Sequence, residues 1–182
     1  SKEIDPTKTY FTREWGDNVD DWSSHNSPSR VARNWGEQPM RVQAQHYACP
    51  YYPVTSYDVL YKQSSQHVGG CLWHSFDHQR GYHPDPFYGG ILDAFRQPKT
   101  SYYAFMSQRP QKTRNGLGSG PVVHIANECT PFSPEDVTVF SNCDSVRLSV
   151  NGGPPVEKKV ASCPGGLKRV PVVLSLIHIS EP

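Results

Sequence analysis

A glutamate at the end of a short strand-like run is the first residue here that could do chemistry. Residues 7–15 alternate as in a β-strand, with Thr12 and Glu14 on one face. Retaining glycoside hydrolysis needs two carboxylates roughly 5 Å apart, one as nucleophile and one as acid/base. Glu14 has the residue type of the nucleophile, and Arg13 beside it would keep the carboxylate ionised. The alternative is a surface glutamate paired with that arginine.

A tryptophan after a double glycine is the second candidate. Trp73 lies within the apolar run "HVGGCLWHSF", residues 67–76, which is typical of a buried strand. A pyranose presents an apolar C–H face that stacks on an aromatic ring, so Trp73 would suit a sugar subsite. The alternative is a tryptophan that belongs to the hydrophobic core.

Polar side chains around these two residues could contact sugar hydroxyls. His74, Asp77 and His78 follow Trp73, and Asp17 follows Glu14. The spacing of the first three would also suit a metal, but metal pairs at i and i+4 normally need a helix to align them. We therefore expect sugar contacts, and no metal or other cofactor.

The elements that must position these residues alternate between strand and helix. Helix starts are predicted at Ser27–Pro28 and at Pro39, a shorter helix at 53–66, and another at 97–108. Strand, helices, strand, loop and helix in this order predict an α/β fold with parallel strands.

The composition changes after residue 110. Residues 111–120 have the polar and glycine content of a linker. Short alternating runs divided by turn residues follow at 121–127, 136–142 and 145–153, and they are typical of an antiparallel β-sandwich.

Composition excludes several classes of function. The 182 residues carry a formal net charge of +1, which gives no reason to expect nucleic acid or an anionic membrane as partner. No apolar run could span a bilayer, and "SKEIDPTK" at the start does not have the pattern of a signal peptide. Five cysteines without CxxC spacing fit neither a zinc site nor a disulfide framework, which indicates buried or incidental thiols.

Four stretches together resemble glycoside hydrolase family 2, in particular its β-galactosidase-like members. They are "YFTREWGD", "HNSPSRVARNWGEQPMRVQAQHYA", "GGCLWHSFDHQRGYHPDPFYGGILDAFRQPKTSYYAF" and "VTVFSNCDSVRLSVNG". The resemblance implies a (β/α)8 TIM barrel followed by an immunoglobulin-like sandwich. It also implies that Glu14 is the nucleophile, that Trp73 lines the sugar subsite, and that the enzyme is periplasmic or secreted. The oligomeric state of the parent stays open.

One part of the family pattern is missing. The family's acid/base is the glutamate of an Asn-Glu pair upstream of the nucleophile, whereas the only such pair here, Asn127-Glu128, lies downstream. A barrel of about 250 residues cannot fit before residue 110. We therefore expect residues 1–110 to be the C-terminal part of a barrel, 111–120 a linker and 121–173 a partial sandwich. "LSLIHISEP", residues 174–182, resembles a translated sequencing adapter.

Two hypotheses from different classes follow. The first is a fragment of a retaining glycosidase that cleaves β-galactosides, inactive alone because its acid/base half is missing; a β-glucuronidase-like parent is its variant. The second is a non-catalytic carbohydrate-binding or structural module. Both have a carbohydrate as partner.

Overall fold

The computed structural model describes residues 5–16, 27–48, 66–81, 84–162 and 167–175. The chain divides into two compact units, Ser1–Lys99 and Thr100–Pro182, and each is described by itself. The predicted helix at 53–66 falls, except for its last residue, outside the described residues. The predicted domain boundaries at 110 and 120 stay predictions.

The first unit contains two parallel strands and a helix. Strand β1 spans Tyr10–Trp15, helix α1 spans Glu37–Ala48 and strand β2 spans His67–Leu72. The strands pair in parallel, with Trp15 opposite Leu72. This confirms the predicted strand near Glu14 and the parallel pairing. The predicted strand at 67–76 is shorter than expected, because it ends before Trp73.

The barrel itself is not shown. In the described residues of the first unit the parallel sheet has two strands, β1 and β2. After β2 the chain continues as a loop that forms isolated bridges, Phe76 with Leu92 and His78 with Phe87. The architecture is therefore a parallel strand pair with a bridged loop, and a (β/α)8 barrel remains a prediction about a larger protein.

The predicted helix start at Ser27 and Pro28 is wrong. Residues 28 and 29 form a turn, in which Ser27 Oγ accepts the Ser29 N–H at 3.2 Å and Ser27 O accepts the Arg30 N–H at 2.9 Å. A serine side chain that bonds to nearby backbone offers an alternative to the helix, and here that alternative prevails. The short 3-10 helix Arg33–Trp35 precedes α1. The predicted helix at Pro39 is confirmed, although it begins two residues earlier, at Glu37.

Helix α1 packs on the end of β1 through aromatic rings. Trp15 and Tyr47 are both buried, and their rings meet edge to face with centroids 6.3 Å apart. Gly70 of β2 makes room for the same tryptophan, since a Cβ there would lie 2.9 Å from Trp15 Cδ1. Gly70 thus leaves space on β2 for the Trp15 ring.

The second unit is antiparallel, as predicted. Its one described helix, α2, spans Thr100–Met106, within the predicted 97–108. Its strands are β3 Val123–Ile125, β4 Asp136–Ser141, β5 Ser145–Leu148, β6 Val156–Lys159 and β7 Val172–Ser175. They form one sheet of order β3-β4-β7 and one β5-β6 hairpin. Apolar residues of both sheets share one core: Val137, Val139, Val146, Val172 and Leu174.

The predicted linker folds back onto this unit. Residues 111–120 contain neither helix nor strand, yet the buried side chain of Asn142 donates to the carbonyls of Arg109 and Gly120 at 3.1 and 2.9 Å. Its Oδ1 accepts the Val122 N–H at 2.7 Å. Asn142 therefore closes the two ends of the segment into a loop.

A stacked pair joins α2 to β3. The rings of Tyr103 and His124 lie almost parallel, with centroids 3.7 Å apart. Burial lowers the pKa of His124 to about 4, because the charged imidazolium loses hydration there. The folded protein therefore holds this histidine neutral at pH values where the unfolded chain would already bind a proton.

We predict that His124 makes the protein less stable in acid. Its pKa is about 6.5 when unfolded and about 4 when folded, so its stabilising effect is complete above pH 6.5 and is lost as the pH falls towards 4. Between pH 7 and 4.5 the free energy of unfolding should fall by roughly 1–2 kcal/mol more than in His124→Phe, after allowance for partial exposure. Urea unfolding at both pH values measures this. Parallel pH profiles for the two proteins would contradict it.

Candidate active site

Glu14 lies near the end of β1 and is open to solvent. Its side chain is 47% exposed, and its Oε2 is 3.8 Å from the Arg13 guanidinium, which is 94% exposed. The next residue, Trp15, is buried against α1. The carboxylate is therefore accessible to a ligand. The loose pair with Arg13 is also what the surface alternative predicts.

Trp73 lies at the same end of the strand pair as Glu14. It follows the last residue of β2, and its N–H donates to the carbonyl of Trp15 at 2.7 Å. Because β1 and β2 are parallel, both candidates lie at the carboxyl ends of neighbouring strands. Side chains at that edge are the ones that build sites in parallel sheets. That the two side chains face one cleft stays a prediction.

Three aromatic rings lie beside the Trp73 ring. The Trp73 ring has centroid distances of 4.9 Å to His74 and 6.4 Å to Phe87. His74 stacks on Phe87 at 4.7 Å, and His78 lies 4.6 Å from His74. The structure therefore brings together three of the predicted residues, Trp73, His74 and His78.

Phe87 and two arginines were not predicted as part of this group. Phe87 is buried, and the guanidinium carbons of Arg30 and Arg80 lie 4.3 and 4.2 Å from its ring centroid. Cations attract the face of an aromatic ring, so these contacts hold the ring in place. A single sequence gives no signal for them, since Arg30 and Phe87 are far apart along the chain.

Asp77 is buried and takes part in the scaffold. Its Oδ1 accepts the Gly90 N–H at 2.9 Å and the Lys99 ammonium at 2.7 Å. Burial raises the pKa of Asp77 and lowers the pKa of Lys99, while the attraction between the two charges acts in the opposite sense on each. The described contacts of Asp77 hold a loop together. A contact to a sugar hydroxyl stays a prediction for this residue.

Two further residues of the sequence analysis are Asp17 and Asn127. Asp17 lies outside the described residues. Asn127 belongs to the second unit, where its side chain accepts the Thr138 N–H and donates to the Asp136 carbonyl, both at 2.9 Å. This asparagine therefore stabilises the β3–β4 pair, as expected if Asn127-Glu128 is not the acid/base pair of the family.

Metal ligands, thiols and helix lengths were the other features of interest among the described residues. No group of three or more His, Cys, Asp or Glu is placed there to hold a metal ion. Cys71, Cys129 and Cys143 are free thiols, and the first two are exposed, so of the expected buried or incidental thiols these two are of the incidental kind. None of the helices described is both long and apolar enough to cross a membrane.

Part of this chain is similar to a solved structure of another protein. No protein-family model matches the chain, and neither does any curated protein. Among solved structures, it is similar to the apo structure of Bacteroides uniformis beta-glucuronidase 3, with 25% sequence identity and a TM-score of 0.43. The similarity covers 70% of this chain and 18% of that one. The chain thus spans less than a fifth of the protein it resembles.

The loop that carries the candidate residues depends on a backbone contact at Gly90. A Cβ there would lie 2.3 Å from the Asp77 nitrogen and 2.5 Å from the Leu92 oxygen, atoms that cannot rotate away. We predict that Gly90→Ala lowers the free energy of unfolding by about 2–3 kcal/mol. Gly81→Ala is the matched control, because a Cβ at Gly81 has no atom within 4 Å. Equal stabilities of the two variants in urea unfolding would contradict this account of the loop.

Proposed function

We propose that this chain is part of the catalytic domain of a retaining glycoside hydrolase that acts on β-galactosides. The observation that carries the proposal is the parallel pairing of β1 and β2, with Glu14 and Trp73 at their carboxyl ends. The sequence resemblance to glycoside hydrolase family 2 assigns its nucleophile and its sugar-lining tryptophan to the same two positions. Both the pairing and the resemblance support a role for these two residues.

The proposed reaction is a double displacement. Glu14 attacks the anomeric carbon and forms a glycosyl ester, while a general acid gives its proton to the departing glycosidic oxygen. Water then cleaves the ester, while the same residue, now acting as a base, takes a proton from that water. Trp73 stacks on the apolar face of the sugar, and Asp17, His74, Asp77 and His78 are the candidates for contacts with its hydroxyls.

The general acid of this proposal lies outside the 182 residues. Asp77 forms an ion pair with Lys99, and the Asn127 side chain is hydrogen-bonded within the second unit. The family's general acid is the glutamate of an Asn-Glu pair before the nucleophile, and no Asn-Glu pair precedes Glu14 in this sequence. An acid on another strand of a (β/α)8 barrel would complete the pair.

The competing proposal is a non-catalytic carbohydrate-binding module. The observation that favours it is the exposed Glu14–Arg13 pair, which needs no catalytic role. In that case Glu14 would be dispensable, whereas Trp73 would still contact sugar. The Glu14→Gln variant of the parent enzyme separates these proposals.

We predict that Glu14→Gln abolishes turnover in the parent enzyme that contains this segment. An amide cannot form the glycosyl ester, so kcat should fall by about 10³-fold or more while the fold survives. Glu128→Gln is the control and should keep full activity. Aryl β-galactoside and aryl β-glucuronide are assayed side by side, and the preferred one identifies the glycoside. Near-normal kcat in Glu14→Gln would refute the nucleophile, and an inverted anomer in the product would refute retention.

We further predict that the isolated 182-residue chain hydrolyses neither substrate. A general acid normally contributes about 10²- to 10⁴-fold, and here it is absent by the argument above. The measurement compares the purified chain with its own Glu14→Gln variant on both aryl glycosides. Turnover clearly above that variant would mean that a carboxylate within this chain acts as the acid.

A further inference from the structure

Lys99 is a fully buried lysine whose ammonium group has a complete set of acceptors. The side chain is 0% exposed. Its Nζ donates to Val31 O at 2.5 Å, to Asp77 Oδ1 at 2.7 Å and to Tyr88 O at 3.0 Å. An ammonium has three N–H donors, and each has a partner here. A charge is tolerated in the interior only when it is paired and hydrogen-bonded in this way.

The three acceptors lie on three separate segments of the first unit. Backbone bonds connect the same segments: Val31 N–H donates to Tyr88 O at 3.1 Å, and Asp77 N–H donates to Leu92 O at 3.0 Å. The Lys99 N–H itself donates to Ile91 O at 2.9 Å. Lys99 is thus the point at which the segments around residues 31, 77 and 88 are joined.

The candidate sugar residues belong to one of these segments. His74 N–H donates to Gly89 O at 3.4 Å, and His74 O accepts the Ile91 N–H at 3.3 Å. The Phe87 ring, next to Tyr88, contacts Trp73 and stacks on His74. Movement of the Asp77 and Tyr88 segments would therefore move the surroundings of Trp73.

We propose that Lys99 is a positioning residue for Trp73: its ammonium holds the 73–78 loop against the 87–92 segment and so fixes the tryptophan that would contact the sugar. The link to sugar binding rests on the function proposed above, whereas the link to Trp73 does not. No neutral side chain could replace the Lys99 ammonium as long as Asp77 is present. The Asp77 carboxylate would stay buried without its cation, and two carbonyls would lose their donor.

The test follows Trp73 directly. The full chain is labelled with 5-fluorotryptophan, and the ¹⁹F signals of its four tryptophans are assigned by single Trp→Phe changes. Lys99→Met is compared with Lys8→Met, the matched control, since Lys8 is 74% exposed. In Lys99→Met the Trp73 signal should shift by more than its linewidth, while the Trp15 signal, from the buried ring beside Tyr47, should not. In Lys8→Met neither signal should move.

A second variant distinguishes displacement of Trp73 from unfolding of the chain. Lys99→Met combined with Asp77→Leu leaves no unpaired buried charge, so it should fold while Trp73 remains displaced. An unchanged Trp73 signal in this folded variant would overturn the proposal. So would the loss of the Trp15 signal in both variants, because Lys99 would then hold the unit as a whole.

Titration with methyl β-D-galactopyranoside separates this proposal from the function. The sugar should move the Trp73 signal of the unmodified chain, and Lys99→Met, which keeps Asp77, should raise the Kd for the sugar by about tenfold, as expected when an aromatic stacking contact is lost. A shift caused by the variant without any response to sugar would support the positioning role and count against Trp73 as a sugar contact. A sugar response with equal Kd in both proteins would support the function and refute the positioning role.

Discussion

The first unit depends on one buried ion pair, Lys99 with Asp77. Burying two charges is unfavourable unless each finds its full set of partners. Here the lysine has three acceptors, and the aspartate oxygen also accepts a backbone N–H from Gly90. Such a requirement fixes geometry more strictly than apolar contact does, because hydrogen bonds have direction. The loop after β2 therefore has one arrangement in which all these groups are satisfied, and Trp73 and His74 belong to that arrangement.

The strand pair adds a packing constraint to this electrostatic one. Trp15 lies against Tyr47 of α1, and Gly70 of β2 leaves space for the tryptophan ring. The buried tryptophan anchors the end of β1, so its neighbour Glu14 is held at the carboxyl edge with its side chain in solvent. Each candidate thus lies next to a residue held by the interior: Glu14 beside Trp15, and Trp73 within the loop that Asp77 fixes.

Patterns within a few residues predicted much of the fold. Alternation predicted β1 and the strands of the second unit, and apolar spacing with proline predicted α1 and α2. The same kind of signal failed at Ser27, where a side-chain hydrogen bond stabilises a turn instead of a helix. Long-range partners had no such signal. In the sequence nothing distinguishes Lys99 from a surface lysine. Its burial follows only from the approach of Val31, Asp77 and Tyr88 in three dimensions. Phe87 was missed for the same reason.

The chemistry of the candidate site divides between what this segment supplies and what it lacks. A retaining mechanism needs an ionised carboxylate for attack and a protonated one for departure of the leaving group. Glu14 is exposed and near a cation, which suits the first role. Asp77 is a buried carboxylate, and burial raises its pKa, as a general acid would need. Its oxygen is nevertheless committed to the Lys99 ammonium, and a proton there would disrupt the pair that holds the loop. On the proposed mechanism the loop would position a sugar only with Asp77 ionised, so proton donation would fall to a different residue.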